Sequence, residues 1–147
     1  MSMISARLPV PYSLRKSCSL DEAFVCSAYL AGASELFRFA TPATIHTHGR
    51  KWVLNQMQSG NVWVAYDTEQ SWYNYGFVIF ETPVVHWIYV KSNYWGLGIG
   101  RALFVKTKAT IASHMSGIIA HGNLKGICAR YGVIYSPWAL DASAPVT

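Results

Sequence analysis

Gly96, Gly98 and Gly100 stand at every second position in Trp95-Gly96-Leu97-Gly98-Ile99-Gly100-Arg101. Each lacks a Cβ, so a ligand can approach bare backbone there. A helix starting at about Gly98 aims its unpaired N–H groups and the positive end of its dipole at that place, which makes an anion site with diphosphate as its usual occupant. The dinucleotide fingerprint needs G-x-G-x-x-G and the P-loop needs Gly-Lys-Ser/Thr. The spacing here is G-x-G-x-G and Arg101 follows Gly100, so neither applies. Just upstream lies the apolar run Val84 to Val90. Strict alternation places Val84, His86, Ile88 and Val90 on one face and Val85, Trp87 and Tyr89 on the other. His86 is the only ionisable side chain on its face, and an imidazole accepts a proton near neutral pH. A hydrogen-bonded core histidine is the competing reading. Glu81, at the start of the strand, is a second proton acceptor. His46-x-His48 would chelate a metal only with a third ligand from elsewhere; the pair reads as loop histidines before a helix, and no metal is expected.

The stretch Trp95 to Gly100 resembles motif A of the GNAT (N-acetyltransferase) superfamily, Gln/Arg-x-x-Gly-x-Gly/Ala after a central strand. It fits at both glycines and departs at Trp95, where the motif has Gln or Arg. His121 to Val133 resembles motif B, with Asn123 and Gly132-Val133 matching in kind and a helix about one turn shorter. The resemblance implies an acyl-CoA-dependent N-acyltransferase, most simply acetyl-CoA to an amine, by direct attack in a ternary complex. It assigns the diphosphate to Gly96, Leu97, Gly98, Gly100 and Arg101, mostly through backbone groups. It assigns the pantetheine arm to the backbone of Ile88, Tyr89 and Val90, with Asn123 either helping or capping the helix after it. His86 or Glu81 would serve as base. Tyr131, or Cys128 in the short helix, would protonate the departing thiolate, unless Tyr131 is a wedge closing the core. The implied fold is mixed α/β, GNAT-like, an antiparallel meander followed by a βαβ unit.

The elements that must position these residues read as follows. Met1 to Ser17, with Pro9 and Pro11, is an edge strand or extended arm. Ser19-Leu20-Asp21-Glu22 is a capping box opening a helix whose apolar face is Leu20, Phe24, Ala28 and Ala31, ending near Gly32. Pro42 breaks any long helix, and a second helix covers Gly49 to Gln58. Asn61 to Tyr66, Tyr73 to Phe80 with a bulge at Gly76, and Val84 to Val90 form a three-strand meander. Its aromatics read as core or cross-strand pairs rather than a base-stacking platform. The helix after the glycine loop runs to about His114 on a stripe of Ala102, Val105, Ala109 and Ala112. Ser116 to Ala120 is the next strand, parallel to Val84 to Val90. Val133 to Trp138 is a last strand, and Asp141 to Thr147 a frayed tail.

The 147 residues suit one domain spanning 1–147. A content of 52% hydrophobic and 13% charged residues argues against disorder. No apolar run spans a membrane and no signal-peptide pattern opens the chain. Cys18, Cys26 and Cys128 show no CxxC spacing, so reduced thiols in a cytoplasmic setting are the simplest reading. The net charge of +5 favours anionic partners. No basic run exceeds two residues, so nucleic acid is possible but not indicated. The expected partner is a small-molecule or protein amine. Small size and aromatic-rich strands are also similar to acetyltransferase-like proteins of tailed bacteriophages, located in host cytoplasm or virion. Two alternatives follow: a GNAT fold kept as a binding or structural subunit, and a nucleic-acid-modifying enzyme of this fold. Acceptor and oligomeric state are not legible.

Overall fold

The computed structural model of the chain describes residues 9–114 and 130–140. Among the described residues, six strands form one mixed sheet in sequential order: β1 (Tyr12–Lys16), β2 (Val62–Asp67), β3 (Asn74–Glu81), β4 (Val84–Val90), β5 (Ile111–Ala112) and β6 (Ile134–Tyr135). The first four pair antiparallel, while β4–β5 and β5–β6 pair parallel. β1 is the expected edge strand. Helices α1 (Glu22–Leu36) and α3 (Arg50–Gln58) cover one face of the sheet. Val25, Cys26, Tyr29, Ala33 and Val53 meet Val62, Val64, Phe77, Ile79 and Trp87 there. Helix α4 (Ile99–Thr107) covers the other face, where Ile99, Leu103 and Phe104 meet Val78, Val85, Ile88 and Val90.

Several boundaries differ from the sequence reading, each for a local reason. The capping box sits one residue earlier. Asp21, not Glu22, accepts the Cys18 amide at 2.8 Å, around a 3-10 turn Ser19–Asp21 that precedes α1. Asp21 is buried and also accepts from the Arg15 guanidinium at 2.9 Å and from the Asn74 side-chain Nδ2 at 3.0 Å, which fastens β1, α1 and β3 together. Leu20, expected to be apolar core, is 78% exposed, and the inward face is instead Val25, Cys26, Tyr29 and Ala33. Helix α1 does not stop at Gly32. A Cβ there would lie 2.7 Å from the Trp87 indole, so this glycine lets the helix lie against the sheet. No helix runs through Pro42, as expected, and the proline itself opens one, α2 (Pro42–Thr44), with Thr41 Oγ1 accepting the Thr44 amide at 3.2 Å. A π-helical turn, Ile45–Gly49, carries it into α3.

The bulge expected at Gly76 lies beside it. Ala65 faces Gly76 and Tyr66 faces Asn74, so Tyr75 is the extra residue. A second bulge, which alternation does not reveal, falls at His86: Ile79 faces Trp87 while Phe80 faces Val85. One extra residue inverts the side-chain phase of half a strand. Val85, Ile88 and Val90 therefore share the α4 face, and His86 turns with Trp87 towards α3, where its ring meets Trp52. The expected grouping of His86 with Ile88 and Val90 is corrected accordingly.

Helix α4 ends at Thr107, well before His114. The Thr107 hydroxyl donates to the Phe104 carbonyl (2.6 Å) and accepts the Ala109 amide (3.0 Å), and Lys108 takes the left-handed conformation at φ 53°. Its buried stripe is Ile99, Leu103, Phe104 and Thr107, whereas Val105 is 57% exposed. The parallel partner of β4 is thus Ile111–Ala112, fed by the Thr110 and Ile111 amides on the Pro83 carbonyl at 2.9 and 3.1 Å. The expected strand Ser116 to Ala120, most of the motif B stretch with Asn123 and Cys128, and the tail 141–147 lie outside the described residues. The last strand is shorter than expected, with a 3-10 turn Pro137–Leu140 after it.

Candidate functional site

The glycine loop is held at its base and open at its tip. A 3-10 turn, Ser92–Tyr94, leaves β4 and is pinned by Tyr94, whose ring packs on Tyr75 at 4.6 Å and whose hydroxyl meets that of Tyr73 at 3.0 Å. Lys91, at the end of β4, stands over the Tyr73 ring at 3.9 Å, and burial pushes its pKa down. Gly96 and Gly98 then take φ 82° and 85°, a region that side-chain-bearing residues rarely enter. Gly98 caps α4, and the Ala102 amide is the one that reaches its carbonyl, at 3.0 Å. The amides of Ile99, Gly100 and Arg101 consequently have no intrahelical acceptor. A Cβ built on Gly96 or Gly98 would meet nothing within 4 Å, so the space above both is clear. Arg101 is exposed on the first turn. The helix start expected at about Gly98 agrees with the structure.

The neighbouring edge of β4 is less simple. Its described pairing with β5 covers Val84 and Val85 alone, extended by the Ser113 amide on the Val85 carbonyl at 3.1 Å. Past the His86 bulge, among the described residues, no strand follows β4 on that side. The Trp95 indole N–H donates to the Val90 carbonyl at 2.7 Å, while the residue remains 58% exposed. The residue that departs from the motif thus does not plug the glycines; it takes the last carbonyl of the strand before them. Ile88 and Val90 are buried against α4, and Tyr89 is half-buried on the α1 face.

His86 and Glu81, the two candidate bases, come together with His86 Nε2 3.5 Å from Glu81 Oε1. On its other side His86 Nδ1 is 2.6 Å from Ser113 Oγ, and Ser113 Oγ is 2.7 Å from His114 Nδ1. His86, Ser113 and His114 are buried, and Glu81 is 23% exposed. Rings of Trp52, Phe37 and Trp87 surround His114 at 5.9, 5.8 and 5.7 Å. Burial, and then the adjacent His86, hold the pKa of His114 down at about 4, so it is neutral at pH 7. Sequence reasoning missed Ser113 and His114 because it ran α4 through them. A helix stopped at Thr107 would have placed both at the carboxyl end of a parallel strand, where open α/β sheets keep their sites.

Tyr131, an exposed residue, stacks on Phe104 at 4.8 Å, against α4. His46 and His48 are exposed on the π-helical turn, and no group of three metal-ligating side chains occurs among the described residues. A surface groove of about 470 Å³, lined by His46, Arg50, Lys51 and Gln58 among others, lies along α3, on the opposite face of the sheet from α4. Among the described residues, no helix is long and apolar enough to cross a membrane.

No protein-family profile matches the sequence, and no curated protein matches it. Solved structures do resemble it. YjaB of Escherichia coli, in its apo form, gives a TM-score of 0.49 at 18% identity over 65% of this chain. The chain spans 63% of the length of that protein. PaiA N-acetyltransferase of Thermoplasma acidophilum, in complex with coenzyme A, gives 0.47 at 15% identity, covering 66% of this chain and 69% of that one. A GCN5-related N-acetyltransferase of Ralstonia eutropha gives 0.49 at 18% identity, covering 92% and 94%. The element order already described, a meander leading through a glycine loop and helix into a parallel strand, decides the architecture. The fold is GNAT-like. At these identities the GNAT-like fold says nothing of substrate, and the site rests on this chain's own residues.

Proposed function

We propose that this protein is an acyl-CoA-dependent N-acyltransferase, with acetyl-CoA the simplest donor and a small-molecule or protein amine the acceptor. One observation carries the reading: a left-handed Gly98 presents the Ile99, Gly100 and Arg101 amides to clear space, next to a β4 edge that, among the described residues, β5 pairs with at Val84 and Val85 alone. Clustered amides at a helix start favour phosphate oxygens. An amide-bearing arm can add to an open strand edge by main-chain hydrogen bonds. The residues fit such a donor at Gly96, Gly98 and Gly100, with Arg101 in reach of the same phosphates and the backbone of Ile88 to Val90 facing the arm. The thioester supplies an activated acyl group; the chain has to orient it, exclude water and accept a proton from the amine. His86 and Glu81, 3.5 Å apart, are the candidates for the last of these tasks.

A second reading, a GNAT-like protein that binds without turnover, is favoured by the Trp95 hydrogen bond to Val90, which competes for a carbonyl the arm would use. Mixing the protein with acetyl-CoA and a panel of primary amines, and following free thiol, separates the two. Thiol release above the protein-free rate supports the enzyme. Coenzyme A raising the melting temperature without any thiol release supports the binding protein. No melting shift and no thiol contradict both.

A further inference from the structure

None of the residues that the acyl-transfer reading uses lines the groove of about 470 Å³ along α3. Its lining begins with His46, Arg50 and Lys51 and passes to Leu54, Asn55 and Gln58 over the next two turns. No carboxylate lines it, and the sequence holds none between Glu35 and Asp67. Soluble surfaces ordinarily mix both signs, so a face of this extent without an acidic residue stands out. Glu22 of α1 reaches Arg50 from the side at 3.1 Å, an exposed pair that engages one of five guanidinium N–H donors. Among the described residues Lys51 has no ion pair, and the side-chain amides of Asn55 and Gln58 make no hydrogen bond. Gln56, by contrast, accepts from Asn61 Nδ2 at 2.9 Å. Positions 51, 55 and 58 share a face only once α3 forms, so the sequence, with no basic run beyond two residues, does not display it.

We infer that this face docks duplex DNA, with α3 lying in the major groove. The inference does not depend on the acyl-transfer reading. Arg50, Lys51 and the exposed His46 meet phosphates and set the register. Further along, the planar amides of Asn55 and Gln58 match the N6 and N7 edge of adenine, and Leu54 meets a thymine methyl. From His46 to Gln58 the face is roughly 18 Å long, about five base-pair steps. The helix beneath it is fixed: Val53 is fully buried, and Trp52 packs on Tyr29 at 5.3 Å. The composition of the lining chooses among anionic partners. Single strands are bound by stacking bases on aromatic rings, and the lining has none. The major groove of duplex RNA is too narrow for side chains to read. A lipid surface requires an apolar face to bury, and Leu54 is the one large apolar side chain here. The net charge of +5 draws the duplex towards the chain as a whole.

Fluorescence anisotropy of a fluorescein-labelled DNA duplex of mixed sequence, titrated with the full chain at several salt concentrations, tests the inference. Saturable binding is expected, weakening with salt at a log–log slope of at least about 2, as two neutralised phosphates require. Lys51→Gln should lower that slope by about 1. Asn55→Asp, nearly the same in shape, should weaken binding at least about 10-fold by setting a carboxylate against phosphate. Lys51→Arg should bind as the unmodified protein does. Lys106→Gln removes the same charge from α4, on the opposite face of the sheet, and should leave affinity and slope unchanged. Circular dichroism melts of each variant report whether it is folded. Absence of binding at low salt overturns the inference. So does equal binding by the folded Lys51→Gln and Asn55→Asp variants, or a loss in Lys106→Gln as large as that in Lys51→Gln. Tighter binding of single-stranded DNA, of an RNA duplex or of anionic lipid vesicles also overturns it.

Discussion

His114 shows how burial at one residue sets a measurable property of the whole chain. Its pKa falls from 6.5 to about 4 on folding, because burial and His86 oppose its charged form. The unfolded chain therefore binds a proton between these values that the folded chain refuses. Stability from this group is complete above about pH 6.5 and is lost as pH falls towards 4, by about 3 kcal/mol. Urea denaturation across that range should show a steeper loss in the unmodified protein than in His114→Gln. Equal slopes would contradict the burial and the contacts described. Residue identities alone carried part of this. His86 and Glu81 stood out as proton acceptors in sequence, but their pairing did not, since it depends on a bulge that turns His86 towards α3. Ser113 and His114 were hidden for a different reason. Nothing in Ala109 to Ala112 signals the helix stop, which a threonine hydroxyl and a left-handed lysine impose.

At the scale of the element, the glycine loop was the most legible part of the chain. Glycines at alternate positions announce backbone conformations that other residues avoid, and Gly96 and Gly98 adopt them. Trp95 was legible only as a departure from a motif. Its geometry makes it a competitor: a neutral hydrogen bond to Val90 has to be given up before an incoming arm can use that carbonyl. Trp95→Phe removes the donor and keeps an aromatic ring. Acetyl-CoA should then bind about 3- to 10-fold more tightly, the equivalent of one ordinary hydrogen bond. Weaker binding to the variant would mean that the indole supports the donor site rather than obstructing it. The β4 bulge belongs to this scale as well. Periodicity fixed where the strand begins and ends, and both bounds agree with the structure. It could not supply the face of each side chain past an inserted residue.

Across the whole molecule, α1, α3 and the three strands of the meander were readable in order because turns, caps and the change of period punctuate them, while α2 and the π-helical turn between α1 and α3 were not. The sheet that results divides the work. One face, with α1 and α3, holds the buried His86, Ser113 and His114; the other, with α4, supports the glycine loop. Asp21 joins β1, α1 and β3, so the scaffold is braced there. Long-range pairings such as these arise between residues with no sequence signature of their partner, and they were not foreseen. The central claim is that the amides at the start of α4 grip a paired phosphate. Calorimetric titration of acetyl-CoA into the unmodified protein and into Gly98→Val tests it, since a β-branched residue cannot hold φ 85° without strain. The account predicts saturable binding weakened at least 10-fold in the variant, with an unchanged circular dichroism spectrum; equal binding by both proteins, or no heat from either, would contradict it.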